Sequence, residues 1–423
     1  MMRKPLLTAL LAVLPVVLLL CGFVRAQGPE SVTHPELTLI KKEILPAAYG
    51  VKSVVMDADS SNVYSMNLEG MSVFDFDRKT RELKRKLVFV PHKGRGYDYA
   101  RHKWIEDSYQ EKPVEARLTK GGRYLWISLH NAGGVVAWDL RGGDTYVKGR
   151  PYKEAWVYQR LPARTGASKD VANMPDAGMA GIPSDGAANA ATAKFEKRKV
   201  RLLFIKTGSI PKVITSTPDG KYLFVANWHS GTVSEISIAS PRPVNWVKVK
   251  DLKGLVIPRG LAASPDSRYL YVAQMGGSAV QVVKIPQMKK VRAIGVGVNP
   301  RHIVMDGRYM YVSLNKASEL VKVDLRKGRV VKKVRTGDYP RTIAMSGDGR
   351  IVFVTCYRGD RVQAFSADNL SLLGSWVSMA HPVGVSVYQR SNRLEAWVAD
   401  YTSGKLDVFT LRERNYSGLM AGN

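Results

Sequence analysis

The chain has 423 residues, of which 45% are hydrophobic, and a formal net charge of +28. An apolar share of this size, with aromatic residues spread along the chain, excludes global disorder and suffices for a large core. The two cysteines, Cys21 and Cys356, are too few for a disulfide framework.

Arg3 and Lys4 precede an apolar run from Leu6 to Leu20, and Val24-Arg25-Ala26 offers a cleavage site that makes Gln27 the first mature residue. Residues 1–26 therefore read as a secretory signal. The run falls short of the roughly 20 residues that span a bilayer, so a membrane anchor is the weaker reading. Cys21 raises the alternative of a lipid anchor, but Leu20 stands where a small residue is expected. Cleavage removes Arg3, Lys4 and Arg25, which takes the charge from +28 to +25. It leaves Cys356 alone, without a partner for a disulfide or for a cysteine metal cluster. The expected location is the periplasm or the outer-membrane periphery.

Within residues 27–50, Glu36 to Ile44 alternates as an outer strand should. Val51-Lys52, followed by Val63-Tyr64-Ser65-Met66-Asn67, opens a first divergent unit. Residues 91–112, with His92, Gly94, Arg95, Gly96, Tyr97, His102 and Trp104, depart from strand periodicity and read as an inserted loop. Pro113-Val114 leads to Tyr124-Leu125-Trp126-Ile127-Ser128, a second divergent unit. Residues 161–199, rich in Ala, Gly, Met and Asp, read as a second inserted loop.

Four clear copies of one pattern follow: Pro, a basic residue, an apolar strand, a tight turn, and a second strand opening on an aromatic or aliphatic residue. They begin at Pro211-Lys212, Pro258-Arg259, Pro300-Arg301 and Pro340-Arg341, spaced by 47, 42 and 40 residues. Pro218-Asp219-Gly220, Pro265-Asp266-Ser267, Asp306-Gly307 and Gly347-Asp348-Gly349 supply the turns. Third strands alternate after them, as in Gly231 to Ile236. A further copy starts at Pro382-Val383, runs through Glu395 to Asp400 and Gly404 to Phe409, and ends near Leu411, leaving a tail over 412–423. A period near 40 with about four short strands per unit predicts propeller blades. The total is seven.

Phe224-Val225-Ala226-Asn227 and Tyr271-Val272-Ala273-Gln274, with their Pro and turn residues, resemble the YVTN-repeat β-propellers of exported bacterial proteins. The resemblance implies an all-β fold over 51–411, a seven-bladed propeller of mostly four-stranded antiparallel blades. The last unit lacks a fourth strand, and an open sheet edge invites pairing with other chains. The strand at 36–44 is therefore expected to close the ring.

In a propeller, the loops into each first strand and those between second and third strands share one face, around the channel mouth. This places Lys212, Arg259, Arg301 and Arg341 with His130, Asn131, Asn227, Trp228, His229, Lys316, Tyr357, Arg358 and Tyr401. A basic, aromatic mouth suits an anionic or ring-bearing ligand. The competing reading is that each arginine braces neighbouring blades through carbonyl or carboxylate contacts. His229, His130 and His302 lack the local spacing of metal ligands. Cys356 has no paired base, so it reads as structural. No glycine-rich phosphate loop, nucleophile elbow or haem-attachment motif is present, so neither a catalytic residue nor a cofactor is assigned from motifs.

Much of the remaining charge falls in expected fourth strands: Lys84, Arg85 and Lys86; Lys248 and Lys250; Lys289, Lys290 and Arg292; Lys332, Lys333 and Arg335. Lysine on outer strands discourages edge-to-edge aggregation. It also suits peripheral association with an anionic membrane surface. The sequence thus points first to a non-catalytic cell-envelope protein, whose basic aromatic face recognises a partner protein, a glycan, a cell-wall polymer or another anionic ligand. The alternative is a lactonase-like hydrolase or a metal- or cofactor-holding propeller enzyme. Export argues against nucleic acid as the partner.

Overall fold

A computed structural model describes residues 36–57, 59–98, 101–161 and 194–414. Residues 1–35, which include the expected signal and Cys21, and 162–193 of the second insertion lie outside the described residues. Within 35–423 the chain forms seven blades: 51–89, 113–139 completed by a strand that ends at 206, 211–252, 258–295, 300–335, 340–377, and 382–414 completed by 36–46. Each first strand packs on the first strand of the next blade, and the seventh returns to the first. The ring is therefore closed.

Closure is made by the chain's two ends. Strand Glu36–Pro46 pairs antiparallel with Lys405–Arg414, as the fourth strand of the last blade. The expected tail accordingly starts later than 412, because residues 412–414 belong to the paired strand.

Middle strands are buried on both faces because each lies between two neighbouring blades. In Ile351–Cys356 of blade 6, Ile351 and Phe353 pack toward blade 7, while Val352 and Val354 pack toward blade 5. The period-2 alternation of the strand thus feeds two separate cores. Truncating a residue such as Phe353 at one of these cores costs about 3–5 kcal/mol. Inner strands come so close that side chains are excluded at points of contact. A Cβ at Gly260 would lie 2.6 Å from the Arg301 carbonyl oxygen, and one at Gly384 would lie 2.7 Å from the Ser53 Cα.

Both insertions differ from expectation. Residues 93–109 form a β-hairpin, Lys93–Asp98 paired with Lys103–Tyr109. Gly96 permits it, since a Cβ there would meet the Ser108 side chain at 2.5 Å. The second insertion is borne on a long hairpin, Tyr152–Arg160 with Phe195–Lys206, so 195–199 are strand and not loop. Tyr152–Arg160 adds to the outer strand of blade 1, and the end of Phe195–Lys206 is the fourth strand of blade 2. The two blades thereby share one nine-stranded sheet.

That bridge changes the meaning of Lys84, Arg85 and Lys86. They sit on a covered strand, half-buried, with Arg85 2.6 Å from Asp75 and Lys86 stacked against Phe74. The basic fourth strands of blades 3, 4 and 5 are exposed.

Candidate functional site

All seven first strands slip register directly after their first residue. A bulge leaves residues unpaired and re-aims them. Here the unpaired positions hold Lys52, Lys212, Arg259, Arg301 and Arg341, from blades 1, 3, 4, 5 and 6. Blade 7 offers Val383 at that position, and blade 2 offers Val114 followed by Glu115. The approach to each bulge is itself bent: Ile210, Ile257, Asn299, Tyr339 and His381 all have φ between 50° and 57°. Residues without glycine's freedom hold such a conformation only where the surrounding structure imposes it.

The five cations and Glu115 converge on the axis closely enough to act on one another. Burial, then Arg341, Arg301 and Arg259, hold Lys52 well below the ordinary lysine range. Lys212 is depressed likewise by burial and by Arg259, Lys52 and Arg301. Burial pulls Arg341 down to about 10, which still leaves it charged at neutral pH. Burial pushes the Glu115 carboxyl up, against the pull of Arg259, Arg301, Lys52 and Lys212.

Charge compensation is uneven. Arg259 reaches Glu115 at 3.6 Å. Arg301, Arg341 and Lys52 have no carboxylate within ion-pair distance among the described residues. Arg301 is buried, and its Nη1 donates to the Met275 sulfur at 3.7 Å. The buried Nε of Arg341 has no hydrogen-bond partner among the described residues. Bracing through carbonyls and carboxylates, the competing reading of these arginines, therefore does not describe Arg301 or Arg341.

Aromatic side chains at the ends of second strands support three of the cations. The Arg341 guanidinium lies 3.5 Å over Tyr357, Lys52 lies 4.3 Å over Tyr401, and Lys212 lies 5.1 Å from the Trp228 ring centre. Burial and nearby Glu69 push the Tyr401 hydroxyl up to about 12. Tyr357 in turn stacks on His381, whose Nδ1 is 2.6 Å from Thr402 Oγ1.

Arg358 and His229 belong to the surroundings of this cluster. Arg358 is exposed and stacks on Tyr339 at 3.9 Å. His229 meets Tyr97 and Trp104 of the inserted hairpin, at ring distances of 4.5 and 5.7 Å. The hairpin is tied to blade 2 as well, where Asn131 donates to Ser108 and to the Tyr109 carbonyl. It therefore covers the mouth on the side of blades 2 and 3.

His302, His130 and Cys356 are buried or half-buried and make their contacts within the propeller. His302 is buried beside Arg259 and Arg301; burial pulls it down to about 3, and its Nδ1 accepts the Ile343 amide of the next blade at 3.4 Å. Buried His130 is likewise held neutral, with Nδ1 2.7 Å from Asn131 Oδ1. Burial pushes the Cys356 thiol up to about 12. Among the described residues no group of three or more His, Cys, Asp or Glu side chains is placed to hold a metal ion.

Sequence reasoning missed Lys52 and Glu115. Lys52 sits one residue after Val51, in register with the other basic positions, and that register was the available signal. Glu115 stands one residue further along than the repeat predicts, and only the bulge of blade 2 brings it to the axis.

Residues 301–404 match the family model of the cytochrome D1 heme domain. The match covers blades 5 and 6 and the two inner strands of blade 7, well under half of the chain. Over most of its length the chain is similar to hydrazine synthase of Kuenenia stuttgartiensis: 17% identity, 90% of this chain and 98% of that one, TM-score 0.58. It is similar also to the β-propeller domain of Myceliophteria thermophila Cps50 (Swd1), with 10% identity, 88% and 99% coverage, and TM-score 0.58. At such identities the likeness shows the β-propeller fold. No curated protein matches.

Proposed function

We propose that this protein is an exported propeller that holds an anionic ligand or cofactor at its channel mouth. The observation that carries the reading is Arg301, a buried guanidinium with a thioether as its hydrogen-bond partner, beside Arg341 and Lys52, which also have no carboxylate at ion-pair distance among the described residues. Burying an unpaired charge costs several kcal/mol, and a fold keeps such groups where an anion offsets the cost. The YVTN resemblance of the repeats and the signal-like N-terminal sequence support a location in the bacterial envelope. Partner proteins and anionic polymers then meet the exposed basic strands of blades 3 to 5, not the mouth.

The match over 301–404 raises the haem class of cofactor, and the donor set fits it. Lys52, Arg301 and Arg341 would hold the carboxylates of a macrocycle. The Nδ1 of His381 is engaged with Thr402, so its Nε2 is the ring nitrogen available to a metal. A bound haem would supply redox chemistry at its iron. The chain's own residues would neutralise and orient the anionic groups, with Tyr357 and Tyr401 fixing the cations beneath.

The test is direct. The purified full-length protein is assayed by absorption spectroscopy, elemental analysis, native mass spectrometry and thermal denaturation with citrate or phosphate. A co-purified anionic group or an anion-dependent rise in Tm, lost in an Arg301→Met/Arg341→Met variant, is expected. Absence of both would overturn the reading.

A further inference from the structure

We infer that the ligand carries at least two anionic groups and seats on the arc of blades 5, 6 and 1, while Glu115 acts as a built-in carboxylate that fills the other anion position of the ring. This deepens the reading of the mouth as an anion site and rests on it. Around the axis the bulge positions run Lys52, Glu115, Lys212, Arg259, Arg301 and Arg341, with blade 7 contributing no charged side chain. Glu115 crosses from blade 2 to Arg259 of blade 4 at 3.6 Å and acts on Lys212 of the intervening blade. Its position is fixed by its own backbone: the Glu115 amide donates to Ser128 Oγ, which donates to the Lys212 carbonyl at 2.8 Å. The inserted hairpin covers this same side, through Tyr97 and Trp104 on His229. The anion position of this arc is therefore already taken by a resident carboxylate.

The opposite arc has no carboxylate within ion-pair distance among the described residues, and Glu115 acts on Lys52 and Arg301 only from further away. Arg301, Arg341 and Lys52 come from three blades, and Lys52 is separated from Arg341 by the uncharged bulge of blade 7. A single carboxylate cannot lie on all three when they approach from different sides of an axis. Two or more carboxylates or phosphates on one molecule can, and guanidinium forks bind such groups in two-point contacts. Lys52 and Arg341 are half-buried and stand on tyrosines, while Arg301 is buried more deeply. The ligand thus enters over the aromatic side and reaches Arg301 last.

Two measurements on the full-length protein test this. Titration calorimetry with acetate, succinate, citrate and a metal-free tetracarboxylate porphyrin should show citrate or the porphyrin binding at least tenfold more tightly than acetate, one per chain. The porphyrin arm separates a macrocycle from a small polyanion as the source of the carboxylates. Glu115→Ala should melt at a lower temperature, and acetate should restore its Tm while leaving that of the wild type unchanged. If Glu115→Ala does not fold, Glu115→Ser, which keeps a hydroxyl and leaves room for a carboxylate, should take up one additional equivalent of acetate. Equal affinity for acetate and citrate, or a Glu115 variant that neither responds to acetate nor binds extra anion, would overturn the inference. If the wild type binds no anion while acetate restores the variant, the proposed function fails and the assignment of Glu115 stands.

Discussion

The two arcs of the channel mouth are made from the same repeat and the same bulge, yet one holds a carboxylate at ion-pair distance and the other does not. On blades 2 to 4 a carboxylate displaced by one residue meets Arg259, and a hairpin lies above. On blades 5, 6 and 1 Arg341 and Lys52 rest on tyrosines and Arg301 on a methionine sulfur, with no carboxylate at ion-pair distance among the described residues. The repeat therefore supplies a ring of charge as a structural habit, and small departures from it decide where a ligand can bind.

Removing the carboxylate should have the largest effect on the comparison. Glu115→Gln should destabilise the fold by about 3–5 kcal/mol, the usual cost of stripping one partner from a buried ion pair, measured by chemical denaturation. On the open arc the same kind of surgery should do the reverse. Arg301→Met/Arg341→Met should leave the ligand-free fold unchanged or more stable by about 1–3 kcal/mol, because unpaired buried charge is removed. Citrate affinity should fall by roughly a hundredfold, in line with the loss of two charge-assisted contacts.

Acidity sharpens the contrast through His302, which faces Arg259 and Arg301 from the boundary between the arcs. Its folded pKa, about 3, is below the ordinary 6.5, so between these values the unfolded chain binds more protons than the folded one. Stability is then full above pH 6.5 and is lost as the pH falls toward 3. His302→Asn, which keeps an acceptor for the Ile343 amide, should flatten part of this acid limb in a pH series of melting curves. At the alkaline end Lys52 and Lys212 lose their protons below the ordinary 10.5. Citrate binding should therefore weaken as the pH rises toward 10, with proton uptake on binding seen by calorimetry in two buffers. The smallest effect belongs to the cover: Tyr97→Ala/Trp104→Ala should cost about 1–2 kcal/mol in aromatic contacts and leave citrate affinity unchanged.

Most of the ring was legible because Pro, a basic residue, a tight turn and a buried second strand recur at nearly constant spacing. The strand at 36–44 was legible from the missing edge of the last blade. The hairpin at 93–109 was not, since its glycines and charges disguise two strands buried on neither face. The bridge between blades 1 and 2 was hidden by the separation of its strands and by the charge of Phe195–Lys206, which reads as solvent-facing. At the mouth, four of the five cations followed from the repeat. The Arg259–Glu115 pairing did not, because a bulge converts neighbours in sequence into partners across an axis.

The closing strand of blade 7 has a mechanical consequence. Glu36–Pro46 is the outermost of four strands, and it is held there mainly by Lys405–Arg414. If the ring begins to open by peeling this strand, the first loss is at the perimeter, three strands away from Pro382–Arg390 and His381 beside it. Rim and mouth are then graded in their resistance to opening, as local unfolding free energies generally are. Blade 7 works as a latch whose free end faces away from the charge it protects.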